Sequence, residues 1–159
     1  MNIFQFTGLS GAGKTSIAEG VKKKFKKINK GVKIIDGDVY RKTLCKDLGF
    51  SKEDRIENIR RLGKEAFNST ADVIIISAIN PYTEIREELR KKYNAKTIWI
   101  CCSIQILKER DTKGLYANGT LPGDLLYFTP YDADLIIYTH EESLKESVQK
   151  VFNYINNIL

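Results

Sequence analysis

The chain has 159 residues, 42% of them hydrophobic, and a formal net charge of +6, which is enough for one domain with its own core. No apolar run approaches the roughly 20 residues that a membrane-spanning helix needs, and the first residues enter a strand without the basic-then-apolar pattern of a secretory leader; a cytoplasmic chain with no membrane partner is expected. Cys45, Cys101 and Cys102 lack the number and spacing of a disulfide framework or a zinc site, and the adjacent pair, inside Thr97-Ile98-Trp99-Ile100-Cys101-Cys102, reads as buried small hydrophobes.

A strand is predicted near residues 2–7, and it runs directly into Gly8-Leu9-Ser10-Gly11-Ala12-Gly13-Lys14-Thr15, a P-loop. In the pattern G-x-x-x-x-G-K-[ST] the glycines let successive backbone N–H groups turn toward one point, making a nest for phosphate oxygens at a helix N-terminus. Lys14 is expected to reach the β- and γ-phosphates of ATP and the Thr15 hydroxyl to ligate magnesium, with Ser16 beside it at the start of the helix. A glycine turn that binds nothing has no need of a Lys-Thr pair at this offset. The helix is predicted over about 14–28, and its lysine run from Lys22 to Lys30 interleaves Phe25 and Ile28 at helical spacing with Val21, as a solvated outer face does. No aromatic RNA-binding strand or helix-turn-helix pattern accompanies it, so the positive charge is assigned to a small nucleotide substrate rather than to nucleic acid.

The second strand, near 33–36, ends in Asp36-Gly37-Asp38 and precedes a helix expected over about 39–47. Two residues apart on an extended chain, Asp36 and Asp38 point to the same side. One carboxylate can hold magnesium through water and the other accept a proton from an attacking hydroxyl; the plainer alternative is an aspartate turn that caps the next helix. Arg41 follows one helical turn later. Ser51, with Asp54 at the capping-box position, marks the N-terminus of a helix over about 52–69. Arg55 and Asn58 share a face of it, and Phe50 stands just before it. A ring, an amide and guanidinium groups are what a nucleotide acceptor needs for stacking, base hydrogen bonding and oxyanion binding. Arg60 and Arg61 read as salt-bridged or solvated, with Glu57 and Glu65 as helical neighbours.

Beyond these come strands near 72–77, 96–101 and 134–138 and helices over about 82–92, 103–109 and 141–157. Gly114 to Pro130 fits neither period, and its glycines and prolines make it a loop; with Arg110 and Lys113 before and within it, the segment 110–130 is a candidate lid. Strands alternating with helices imply a three-layer α/β fold, a five-stranded parallel sheet flanked by helices in one domain spanning 1–159. In such a fold ligands bind at the carboxyl ends of the strands. The P-loop, the Asp36-Gly37-Asp38 segment, Asn80-Pro81-Tyr82 and the lid all fall there.

In order along the chain, Gly8 to Thr15, Asp36-Gly37-Asp38 with Arg41, Asp47-Leu48-Gly49-Phe50-Ser51 with Asp54-Arg55-x-Glu57-Asn58-Ile59-Arg60-Arg61, and Arg110-Asp111-x-Lys113-Gly114-Leu115-Tyr116 resemble the motifs of the adenylylsulfate kinases. The resemblance covers about residues 1–116. It implies a P-loop kinase fold and a phosphotransferase that uses ATP and magnesium to phosphorylate the 3′-hydroxyl of adenosine 5′-phosphosulfate, giving 3′-phosphoadenylyl sulfate, the activated donor of sulfate assimilation. The family often forms homodimers. By position, Asp38 resembles the carboxylate near the acceptor hydroxyl, and Arg41 and Arg55 the residues that grip the phosphosulfate. Phe50 and Asn58 resemble those that hold the acceptor base, Lys113 the lid lysine, and Arg110 the arginine near the ATP base. With Lys14 and Asp38 as the catalytic pair, Thr15 and, through water, Asp36 are the expected magnesium ligands.

Three stretches depart from the family pattern. Asn80-Pro81-Tyr82-Thr83 stands where the family has Ser-Pro-Tyr-Arg, and Phe128-Thr129-Pro130 where it has Phe-Thr-Gly. The segment beyond is shortened to Tyr131-Asp132-Ala133-Asp134. Phe128 keeps its distance from Lys113 and is expected to stack on the second face of the acceptor base. The rival within enzymes is a relative acting on another nucleotide, for instance a cytidine diphosphoramidate kinase. A GTP-binding switch would need an Asn-Lys-x-Asp signature, which Asn29-Lys30-Gly31-Val32 does not supply; a nucleic-acid-stimulated ATPase would rest on the lysine run alone.

Overall fold

The computed structural model describes residues 2–111, 114–117 and 128–159. Its strands are β1 (Ile3–Thr7), β2 (Val32–Asp36), β3 (Val73–Ser77), β4 (Lys96–Cys101) and β5 (Leu135–Tyr138). The described helices are α1 (Lys14–Lys26), α2 (Gly37–Tyr40), α3 (Lys52–Phe67), α4 (Thr83–Tyr93), α5 (Ile104–Arg110) and α6 (Leu144–Ile158). The sheet runs in the order β2-β3-β1-β4-β5 and is parallel at every pairing.

Side chains of β1 divide by the period of two that a pleated strand imposes: Phe4 and Phe6 join the apolar cluster on one face of the sheet, and Ile3 the cluster on the other. Continuous apolar runs are what strands covered on both faces require, and all five residues of β3 are buried. Ile17, Val21 and Phe25 of α1 and Val148, Val151 and Ile155 of α6 cover the first face. Ile59, Leu62 and Ala66 of α3 and Ile85 and Leu89 of α4 cover the second. This is the expected three-layer α/β arrangement.

One expected helix is much shorter than the sequence pattern suggests. In place of a helix over 39–47, α2 ends at Tyr40 and residues 41–47 form successive turns. Lys42, Thr43 and Lys46 donate to carbonyls three residues back, and Cys45 to Tyr40, five back. Side chains compete for carbonyls in and just beyond this stretch: Arg41 Nη1 donates to the carbonyls of Leu48 and Gly49 at 3.1 and 2.6 Å, and Arg61 Nη1 to that of Leu44 at 3.1 Å. The buried Cys45 pins the turns to the second cluster, and burial raises its thiol pKa, outweighing the neighbouring Arg61.

From β1 the chain crosses through α1 to β2 on one side, and from β3 through α4 to β4 on the other. The direction of winding therefore reverses beside β1, which is where doubly wound sheets open a crevice at their carboxyl edge.

Candidate active site

The chain leaves β1 into a loop pinned from several sides. Gly8 N–H donates to the Ile79 carbonyl at 3.1 Å, and a Cβ on Gly8 would collide with the Ile100 carbonyl of β4. Gly13, at φ 110°, is the N-cap of α1, a helix with no side-chain cap bond and no acidic residue in its first turn. Such a helix start keeps its N–H groups and partial positive charge for an external anion.

The carbonyls of this loop are taken by donors from four parts of the chain. Lys14 Nζ donates to Gly8 and Leu9 at 2.8 and 2.9 Å, the Tyr116 hydroxyl to Ser10 at 2.8 Å, Arg110 Nη1 to Gly11 at 2.9 Å and the Thr139 hydroxyl to Ala12 at 2.8 Å. In a planar trans peptide the C=O of one residue and the N–H of the next point opposite ways. Holding the carbonyls of Ser10 and Ala12 outward therefore aims the N–H groups of Gly11 and Gly13 the other way, and Gly11 and Gly13 line the main cleft.

That cleft, about 800 Å³ in volume, brings together Ser10, Gly11, Gly13, Lys14, Thr15, Ser16 and Arg110, expected on the ATP side, with Asp36, Asp38, Arg41, Phe50, Arg55 and Asn58. Gly8, Leu9 and Ala12 form the buried back of the loop and do not line it. Ser77, Ala78, Ile79 and Asn80 floor the cleft from the end of β3.

Asp36 and Asp38 reach the cleft differently from the extended pair expected. Asp36 ends β2 as the N-cap of α2, its Oδ1 accepting from Asp38 N–H at 2.8 Å. Asp38 lies in the first helical turn, so the capping and cleft-lining readings hold together.

Phe50 is 69% exposed and has two arginines near its ring, Arg41 Cζ at 4.5 Å and Arg55 Cζ at 5.3 Å from the centroid. Arg55 Nε also donates to the Phe50 carbonyl at 2.9 Å. The turn before α3 is fixed by Asp54, whose N–H donates to Ser51 Oγ at 3.1 Å as expected of the N-cap, while its Oδ2 accepts from Gly49 N–H at 2.7 Å rather than closing a capping box on Ser51. Asn58 is buried, and its Oδ1 has no hydrogen-bond partner among the described residues; a buried amide oxygen lining a cleft is an acceptor for a donor on a ligand.

Arg60 bridges Glu57 and Glu88, and Arg61 bridges Asp47 and Glu57, so both are held by carboxylates. Glu65, expected as their neighbour, pairs with Lys33 instead.

Two expected residues stand apart. Lys113 lies outside the described residues, as does much of the segment 110–130. Phe128 packs against the core cluster and lines a separate pocket of about 260 Å³ with Leu9, Trp99 and Leu107, not the main cleft. Tyr116 and Thr139 were not assigned roles by sequence reasoning. Tyr116 falls within a recognised motif, so it was visible; Thr139 follows β5 with nothing in its neighbourhood to single it out. Burial, with the charge of Asp111 behind it, raises the Tyr116 phenol to about 12, so it remains a proton donor at neutral pH.

The family model described as adenylylsulphate kinase matches residues 1–137. The adenylyl-sulfate kinase of Microcystis aeruginosa is 39% identical over 163 residues, covering 96% of this chain and 90% of the relative. Among solved structures, the APS kinase of Mycobacterium tuberculosis in complex with AMPPNP and APS has a TM-score of 0.87 at 33% identity, covering 98% of each chain. A hexameric APS kinase from Thiobacillus denitrificans has a TM-score of 0.71 at 26% identity, covering 98% of this chain and 28% of that one.

Proposed function

This chain belongs to the adenylylsulphate kinase family, and on that premise we propose that it transfers the γ-phosphoryl group of ATP to the 3′-hydroxyl of adenosine 5′-phosphosulfate. The carrying observation is one cleft in which a P-loop faces Asp38, Arg41, Phe50, Arg55 and Asn58. The substrates are small nucleotides. Residues 1–159 act as one kinase unit.

Phosphoryl transfer asks mainly for alignment and charge neutralisation. The nest N–H groups and Lys14 bind the triphosphate, and Arg110 lies at the outer end of the loop for the ATP base. Arg41 and Arg55 bind the phosphosulfate oxygens, Asn58 accepts from the acceptor base, and Phe50 stacks on it. Asp38 orients the 3′-hydroxyl and receives its proton as the bond to phosphorus forms. Lys113 is proposed to add a positive charge from the lid side. Phe128 packs away from the main cleft and is given no role in base stacking.

Magnesium fits this donor set. Hard oxygens from the Thr15 hydroxyl and Asp36 line the cleft beside Lys14, and magnesium is held by one or two protein oxygens together with substrate phosphates rather than by a protein cage. Bound there, it would neutralise developing phosphate charge. No described helix is long and apolar enough to cross a membrane; a cytoplasmic location and assembly with further copies, which a hexameric relative supports, complete the proposal.

The test is ADP release by the purified protein with MgATP and either adenosine 5′-phosphosulfate or cytidine acceptors, cytidine diphosphoramidate among them. A higher kcat/KM for adenosine 5′-phosphosulfate is expected; a clear preference for cytidine would replace the acceptor and keep the kinase.

A further inference from the structure

The Tyr116 hydroxyl donates to the carbonyl of Ser10 at 2.8 Å across 106 residues of sequence. It reaches that position because a short turn is built around Asp111. The two carboxylate oxygens of Asp111 accept from the N–H groups of Tyr116 and Ala117 at 3.0 and 2.9 Å, and its carbonyl accepts from Gly114 N–H at 3.0 Å. Gly114 turns with φ 68°, a conformation that costs a glycine little. The same segment delivers Arg110 to the next carbonyl, Gly11. Two adjacent peptide units at the crown of the P-loop are thus held from one turn.

From this geometry we propose that Tyr116 is a positioning residue for nucleotide binding: its hydroxyl fixes the Ser10–Gly11 peptide so that the Gly11 N–H stays aimed into the phosphate nest. The planar peptide makes this a single degree of freedom, since the Ser10 carbonyl and the Gly11 N–H turn together. Glycine at position 11 carries no side chain to resist that rotation, and the hydroxyl supplies the restraint. Tyr116 itself is partly buried against the core cluster to which Leu9 and Ala12 of the loop also belong, and this packing seats its ring.

The proposal rests on the reading of the cleft as a nucleotide site, and not on the identity of the acceptor. The test is calorimetric binding of ADP with magnesium to the wild type and Tyr116→Phe, with KM for both substrates and thermal unfolding of each protein without nucleotide. Losing one neutral hydrogen bond to a carbonyl corresponds to about a two- to tenfold weaker ADP Kd. The expected result is that weakening, matched in KM for ATP, with KM for the acceptor unchanged and the unfolding temperature lowered by only about 2–4 °C, the cost of one hydrogen bond. An unchanged ADP Kd overturns the proposal. So does an equal weakening of both substrates together with a larger fall in unfolding temperature, which is what loss of packing alone would give. If Tyr116→Phe does not fold, Asp111→Ala, which releases the turn but keeps the phenol, decides the matter by the same readings. A wild type that binds neither ADP nor ATP would refute the nucleotide site itself, an outcome distinct from all of these.

Discussion

Asp38 sits in the first turn of α2, one residue beyond the glycine that lets the helix start against Ala78. Its carboxylate is exposed in the cleft, within the half that faces the P-loop. A positioned general base contributes about 10²–10⁴-fold to a proton transfer. Asp38→Asn is therefore expected to lower kcat by roughly 100-fold or more while leaving KM for ATP within a few-fold, and steady-state kinetics at saturating substrates check it; turnover near wild type would remove the base role. Phe50 makes a different kind of contribution. Arg41 and Arg55 both place Cζ within 5.3 Å of its ring centroid, so, on the proposed roles, Phe50→Leu removes the stacking surface of the base and the support of the oxyanion grip together. KM for the acceptor should rise by about tenfold or more, the sum of a lost aromatic stack and weakened cation–π contacts. KM for ATP should not move, and a parallel rise in both would show that Phe50 shapes the whole cleft.

At the scale of elements, the β3–α4 connection is held by a buried polar network. Arg86 of α4 is 1% exposed and makes a bidentate pair with Asp132, Nε to Oδ2 at 3.1 Å and Nη2 to Oδ1 at 2.8 Å. Nη1 and Nη2 also donate to the Asn80 carbonyl and the Thr83 hydroxyl, both at 3.0 Å. Gln5 of β1 donates to the Arg86 carbonyl and to Thr97 of β4, and accepts from Asn80 Nδ2. Asn80 and Thr83, two of the departures from the family pattern, thus serve as partners within this network, and Asp132 of the shortened segment is its anchor. None of this was legible in the sequence, because the partners lie up to 92 residues apart and no periodicity links them. The helices and strands were legible because burial follows a period of 2 or 3.6, whereas α2 was overextended because side chains captured nearby carbonyls that helical hydrogen bonding would use. Burial alone would raise the Asp132 carboxyl, but hydrogen bonds from Arg86 and its charge outweigh it and hold the pKa below the ordinary value. A depressed native pKa stabilises the fold above the ordinary carboxylate range and is lost as pH falls through the native value. Asp132→Asn should cost about 1–3 kcal/mol at pH 7, since it leaves a buried guanidinium without its counter-charge. The difference from wild type should begin to shrink below about pH 4 and close as pH falls through the depressed native pKa, and urea unfolding at pH 7 and about pH 2 reads both effects. A gap that persists at low pH would assign the cost to packing rather than to charge.

At the scale of the whole molecule, the cleft belongs to no single element. β1 ends in the nest, β2 in Asp36, β3 in the floor, and Arg110 arrives from the far end of α5. The P-loop was readable because its residues, Gly8 to Thr15, are contiguous and one backbone geometry serves them all. The residues across the cleft needed a motif resemblance, and Phe128, expected among them, lines the separate pocket instead because its position depends on packing against the core cluster, which distance along the chain does not encode. A site assembled from so many elements should stabilise the fold as a unit when it is filled. Ligand at 100 times its Kd adds about 2.7 kcal/mol to the unfolding free energy, and a chain of this size shifts its midpoint by about 2–4 °C per kcal/mol. Saturating ADP with magnesium is therefore expected to raise the unfolding temperature by roughly 5–10 °C. Lys14→Ala, which removes the ammonium from the nest, should lose most of that shift at the same ADP concentration, because its Kd rises toward the ligand concentration. Differential scanning fluorimetry of the two proteins across an ADP titration measures both. A shift of equal size in wild type and Lys14→Ala would mean that ADP is held elsewhere than in the P-loop, and the donor half of the cleft would have to be reassigned.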